Sequence, residues 1–144
     1  MTRRANRGSS LIEFALAAAF LAPLLMGAAQ FLEAYRRVAT LERATSQAAH
    51  AAAGMPFDSA SELPSASYVR AVTDAVLAAA GPVAGFTREH VRVRMRFAAD
   101  RPHQVQVWIE GYSVPLPVGP ALKMHGTPRG TAPFVEHWTK TAAP

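Results

Sequence analysis

The stretch RGSSLIEFALAAAFLAPLLMG, residues 7–27, places a single carboxylate, Glu13, at the start of a run that otherwise reads as lipid-facing hydrophobe. From Phe14 to Leu32 no residue is charged, a length close to the roughly 20 residues that an α-helix needs to cross a hydrocarbon core. Pro23 and Gly27 would break a short helix in water. In lipid a freed backbone hydrogen bond has few partners outside the helix, so one bent helix is expected, not two. A charge at the bilayer centre costs roughly 3 kcal/mol and less toward the edge, so Glu13 is tolerable as an interfacial residue.

Beyond Leu32 the apolar pattern continues. Phe31, Tyr35, Val38, Leu41, Thr45, Ala48 and Ala52 recur every three or four residues, while Glu33, Arg37, Glu42 and Arg43 fall elsewhere on the helix. The spacing predicts an amphipathic stalk ending near Ala53, with Gly54 as a left-handed cap and Pro56 unable to continue the ladder. Counted from Ser9 the rod is about 65 Å long at about 1.5 Å per residue.

A second helix is expected after Pro64, capped by Ser65 or Ser67 and stopped by Gly81-Pro82, with Tyr68, Val72, Val76 and Ala79 on its packed side. The period then changes to two. HVRVRMRF (90–97) sets Val91, Val93, Met95 and Phe97 against Arg92, Arg94 and Arg96, and QVQVWIEGY (104–112) turns Val105, Val107 and Ile109 inward. With AADRPH as the turn, the register that keeps both apolar sets on one face pairs Phe97 with Val105, Met95 with Val107 and Val93 with Ile109. Arg94 would then oppose Trp108 and Arg92 would oppose Glu110. The proline-rich tail from Ser113 is expected to be mostly irregular, with one edge strand at PFVEHW (133–138).

The fold class expected is therefore α+β: a long N-terminal helix, one further helix and a short antiparallel sheet. With 144 residues the chain makes one modest domain, and about a hundred residues remain for a head beyond the membrane run. Half the residues are apolar and only 17% are charged, which argues against a disordered chain. There is no cysteine, so disulfide frameworks and cysteine-based zinc sites are excluded. Of the net charge of +5, Arg3, Arg4 and Arg7 precede the apolar run, so the basic balance reads mostly as an address.

The arrangement RGSSLIEFAL, with three arginines before Gly8 and Glu13 just ahead of the hydrophobic run, resembles the class III signal of type IV pilins and pseudopilins. It is most similar to the TadE-like minor pseudopilins of the tight-adherence (Tad/Flp) pilus system. The resemblance covers roughly the first 55 residues, through the proline in the membrane run and the Ala-rich stalk; the later head is similar only in outline. It implies a basic leader (1–8), cleavage between Gly8 and Ser9 by a prepilin peptidase, a retained membrane helix with stalk (9–53) and an extracytoplasmic head (54–144). It further implies other minor pseudopilins, the major Flp-type pilin and an inner-membrane assembly platform as partners. Ser9 follows the cut where many pilins outside the Tad branch have Phe, so N-methylation is not carried over. On this reading Glu13 is an assembly contact: it lies one helical turn from the amino group that cleavage would create on Ser9, of this chain or of a neighbouring subunit.

Two other readings compete. Gly27-Ala28-Ala29 offers small residues for signal peptidase before Gln30, although Glu13 and the length of the apolar run fit a secretory signal poorly. A signal-anchored or secreted envelope binding domain unrelated to pili is the alternative function. Counting Lys and Arg leaves orientation undecided, with Arg3, Arg4 and Arg7 on one side of the run and Arg36, Arg37 and Arg43 on the other. Arg92, Arg94 and Arg96 read as a solvated sheet face; as a partner surface they would suit an acidic patch on another subunit better than nucleic acid. His50, His90, His103, His125 and His137 are scattered, and no HExxH spacing, phosphate loop or nucleophile elbow is present. A non-enzymatic assembly subunit without cofactor or metal is expected.

Overall fold

A computed structural model describes residues 6–56, 64–98, 101–116 and 119–134. Its elements are α1 (Asn6–Ala53), α2 (Ala66–Ala80), a short 3-10 turn (Arg88–His90), β1 (Val91–Ala98), β2 (Arg101–Val114) and β3 (Leu122–Pro133). This is the α+β fold that the residue patterns predict. The three strands form one antiparallel sheet in the order β1-β2-β3.

α1 is one helix through Pro23 and Gly27, and its two halves have different surroundings. The C-terminal half is a wall of the core. Ala34, Leu41, Ala44, Thr45, Ala48, Ala49, Ala52 and Ala53 are buried there beneath α2 and the sheet. Phe31 and Tyr35, expected on that stripe, are instead exposed, because the packed face starts at Ala34 and is built mainly of alanine. Small side chains let neighbouring backbone come close. At Gly130 of β3 an added Cβ would overlap the carbonyl of Thr45, so β3 lies almost directly on the helix backbone. Thr45 itself is satisfied, its hydroxyl donating to the Glu42 carbonyl at 3.0 Å.

The end of α1 is closed differently from expectation. Gly54 does not adopt positive φ; the helix tightens, with the N–H groups of Gly54 and Met55 donating to the carbonyls of Ala51 and Ala52. The Tyr68 hydroxyl also donates to the Ala52 carbonyl, at 2.8 Å. That bond ties the start of α2 to the end of α1. α2 is capped by Ser65, whose side chain accepts from the Tyr68 N–H, and ends at Gly81 with φ +63°. Its packed residues are Tyr68, Val72, Thr73, Val76 and Ala80, so Ala80 takes the place expected for Ala79.

In the sheet the faces are as expected but the β1–β2 register is displaced by two residues. Val91 pairs with Ile109, Val93 with Val107 and Met95 with Val105. The physical reason is the turn. Ala98 already pairs with Arg101, so Pro102 and His103 belong to β2 and not to a longer loop. An irregularity between Arg96 and Phe97 accompanies the shift and leaves Phe97 38% exposed. Because a two-residue slip preserves side-chain alternation, Val105, Val107 and Ile109 still reach full burial. Each such side chain contributes about 1.5–3 kcal/mol of transfer free energy.

The third strand corrects the reading of the tail. β3 occupies Leu122–Pro133, upstream of the expected PFVEHW, of which residues 135–138 lie outside the described residues. A strand containing Gly126, Pro128 and Gly130 is tolerated because β3 is an edge, where a missing N–H leaves no ladder partner unmet on the open side. Its alternate residues Met124, Pro128, Gly130 and Ala132 are buried.

Candidate functional site: an uncovered apolar helix and an arginine face

Residues Ser10 to Ala29 of α1 are exposed throughout. The most apolar part of the helix has a mean hydropathy of 2.0, and none of it is buried within the chain. Phe14, Phe20, Leu24 and Phe31 each leave about 70% of their surface open, Phe20 as much as 74%. Holding such side chains in water instead of an apolar medium costs about 1.5–3 kcal/mol apiece. α1 is long and apolar enough to cross a membrane. Nothing in the described fold covers this half of it.

Gly8, Ser9 and Glu13, singled out ahead of the apolar run, occupy the first turns of this helix. Gly8 and Ser9 have helical backbone, and Glu13 is exposed one turn further along. Ser9 and Glu13 are thus four residues apart on one helix, the spacing at which opposite charges face each other. Arg3 and Arg4 lie outside the described residues. At the other end of the uncharged run, Glu33 and Arg37 form an i,i+4 ion pair at 3.1 Å, worth at most about 0.5 kcal/mol at a surface.

Arg92, Arg94 and Arg96 all project from β1 into solvent, but the displaced register gives them other neighbours than expected. Arg92 opposes Trp108, Arg94 opposes Gln106 and Arg96 opposes Gln104. Arg92 donates to the carbonyls of Glu89 at 2.7 Å and Val91 at 3.3 Å. Trp108 takes its cationic partner from the other side: Arg129 of β3 stands 5.8 Å from the ring centroid. Its indole N–H donates to the Glu110 carboxylate at 3.0 Å. One row across the sheet therefore reads Arg92, Trp108, Arg129. Arg129 escaped the sequence reading because the glycines and Pro128 around it hid the strand that carries it.

Two phenols, Tyr68 and Tyr112, are buried in the head. Burial pushes the Tyr68 hydroxyl up to about 12. Tyr112 is also raised by burial, an effect that the nearby Arg37 charge opposes; its hydroxyl donates to the Ala84 carbonyl at 2.9 Å. Among the described residues no group of three His, Cys, Asp or Glu side chains is placed to hold a metal ion.

Comparison with known protein families, curated proteins and solved structures finds no match. The class that fold and site define is a small α+β head built onto an apolar helix of membrane-spanning length.

Proposed function

We propose that the chain is a minor pseudopilin of the TadE-like kind, an assembly subunit of a Tad/Flp-type adhesive pilus and not an enzyme. The observation that carries the reading is the order of parts along the chain. A basic leader, Gly8-Ser9 and Glu13 lead directly into an uncovered apolar helix, and the same helix becomes the core of the head. In this reading the protein sits in the bacterial inner membrane with its head outside the cytoplasm. A prepilin peptidase removes residues 1–8 by adding water across the Gly8–Ser9 peptide bond, leaving a carboxylate on Gly8 and an amino group on Ser9.

That bond lies in helical backbone, and a protease must unwind it. Gly8 makes unwinding easier by about 1 kcal/mol relative to Ala. The freed ammonium of Ser9 then meets the Glu13 carboxylate in the same chain or in a neighbouring subunit, which favours one axial register among packed helices. Other minor pseudopilins, the major Flp-type pilin and the inner-membrane assembly platform are the partners.

The test is the mature N-terminus. Co-expression with a matching prepilin peptidase should yield a chain beginning at Ser9 by mass spectrometry, and Gly8→Val should block the cut. A wild-type product that retains residues 1–8 under those conditions would refute the proposal, and one beginning at Gln30 would transfer the chain to the secretory route.

A further inference from the structure

The head has a direction along α1. Gly130, opposite Val107 in the β2–β3 ladder, lies on the backbone of Thr45. Tyr112, farther along β2, is close enough to feel the charge of Arg37. α2 agrees, because it starts at the Tyr68–Ala52 bond and returns antiparallel until the Tyr112 hydroxyl meets Ala84. β2 therefore descends α1 toward the uncharged run. Val114 and its partner Leu122 lie roughly 23 Å past Val107 at about 3.3 Å per residue. On α1 that drop corresponds to at most about fifteen residues, which brings the pair level with the last residues of the run, between Gln30 and Leu32.

The composition of this end of the head suits that level. Leu122 shares the core-facing side of β3 with Met124 by alternation, yet it is 51% exposed while Met124 is buried. Its ladder partner Val114 is fully buried, so Leu122 stands half open at the free edge of the sheet. The exposed residues Pro115, Pro120 and Ala121 before it carry no charge, and exposed Lys123 follows. On α1, Leu32 is also half exposed.

We propose that this end of the head is a membrane-docking surface. Leu122, with Pro120 and Ala121 before it, enters the boundary between acyl chains and headgroups beside α1, and Lys123 meets anionic lipid headgroups. The occupant follows from continuity: where Leu32 is embedded in lipid, a surface held at its level stands in the headgroup layer. The inference rests on α1 crossing a bilayer, so its test must separate the two.

The chain has no cysteine, which allows single labels on the full-length protein. An environment-sensitive fluorophore is attached to Leu122→Cys, and to Ala121→Cys as a second exposed site in the same segment. Phe20→Cys reports the apolar run and Gln47→Cys the exposed upper part of α1. Each variant is reconstituted into phosphatidylethanolamine and phosphatidylglycerol vesicles carrying lipid-borne quenchers. Expected are blue-shifted, quenched emission at positions 122, 121 and 20 and aqueous, unquenched emission at 47. Aqueous emission at both 122 and 121 with a quenched label at 20 would overturn the docking surface and leave the membrane helix standing. Aqueous emission at 20 would overturn both. Equal quenching at 47 and 122 would also overturn the proposal, since contact would not be confined to this end of the head.

Discussion

Gly130→Ala should be among the most damaging single-methyl additions to this protein. The new Cβ would collide with the carbonyl of Thr45 and stand 2.7 Å from the Ser46 nitrogen. All of these atoms are α1 backbone, so no side chain can rotate away. β3 must instead lift from the helix by about an ångström, which forfeits a quarter to a half of the dispersion contact along the seam. Overpacking of a core costs about 1–3 kcal/mol even where side chains can yield. With an unyielding neighbour and a loosened seam we expect about 3–4 kcal/mol, a large share of the 5–15 kcal/mol typical of a whole domain. The assay is equilibrium unfolding of the full chain in detergent micelles, followed by near-ultraviolet circular dichroism. Gly27→Ala is the control, because a Cβ there meets nothing within 4 Å, and it should be neutral or slightly stabilising. If Gly130→Ala unfolds together with wild type, the close approach of β3 to α1 is wrong.

Other expectations follow from the same geometry. Tyr68 has a folded-state pKa raised to about 12 from the ordinary 10, so its contribution is complete below pH 10 and is lost as pH rises from 10 to 12, when the unfolded chain ionises first. The loss is about 2 kcal/mol, and Tyr68→Phe should flatten that part of a stability profile; an unchanged profile would contradict it. Val107→Asp, at a fully buried site, should abolish cooperative unfolding by burying an unpaired charge, whereas Arg94→Ser should shift the midpoint little; equal tolerance would mean the faces are reversed. If the proposed pseudopilin function holds, Glu13→Gln should insert and be cleaved normally yet support fewer pili and recover less partner protein. Loss of a pair worth about 1.4 kcal/mol weakens association about tenfold, and normal piliation would reduce Glu13 to an interfacial residue.

Period and punctuation carried much of the architecture. The change from a three-to-four spacing to strict alternation at Val91 separates helix from strand, and Gly81-Pro82 stops α2 where it does stop. Alternation also assigns Val105, Val107 and Ile109 to the core. It cannot assign register, because slips of two residues keep every side chain on its own face; the tight closure from Ala98 to Arg101 decided that. β3 was illegible for a different reason. Its packing depends on the absence of side chains at Gly130 and on an edge position that excuses Pro128, so the residues that make it fit are those that argue against a strand. Likewise Phe31 and Tyr35 satisfy the helical spacing as well as Ala34 and Ala44 do. Spacing favours the large apolar residues as core, whereas the fold uses alanine to bring the sheet close. Of the candidate site, the apolar half of α1 was legible as an uncharged run, the Arg92–Arg96 stripe as a face, and Arg129 not at all.

α1 runs without interruption from the apolar segment into the packed head, which fixes an azimuth as well as a height. Each residue of an α-helix turns its successors by about 100°. The direction in which the Arg92–Trp108–Arg129 row points around the axis of the apolar helix is therefore set by how many residues separate the uncharged run from Ala34. Inserting one residue between Leu32 and Ala34 would leave both halves intact yet swing the arginine face by about 100° relative to the apolar run.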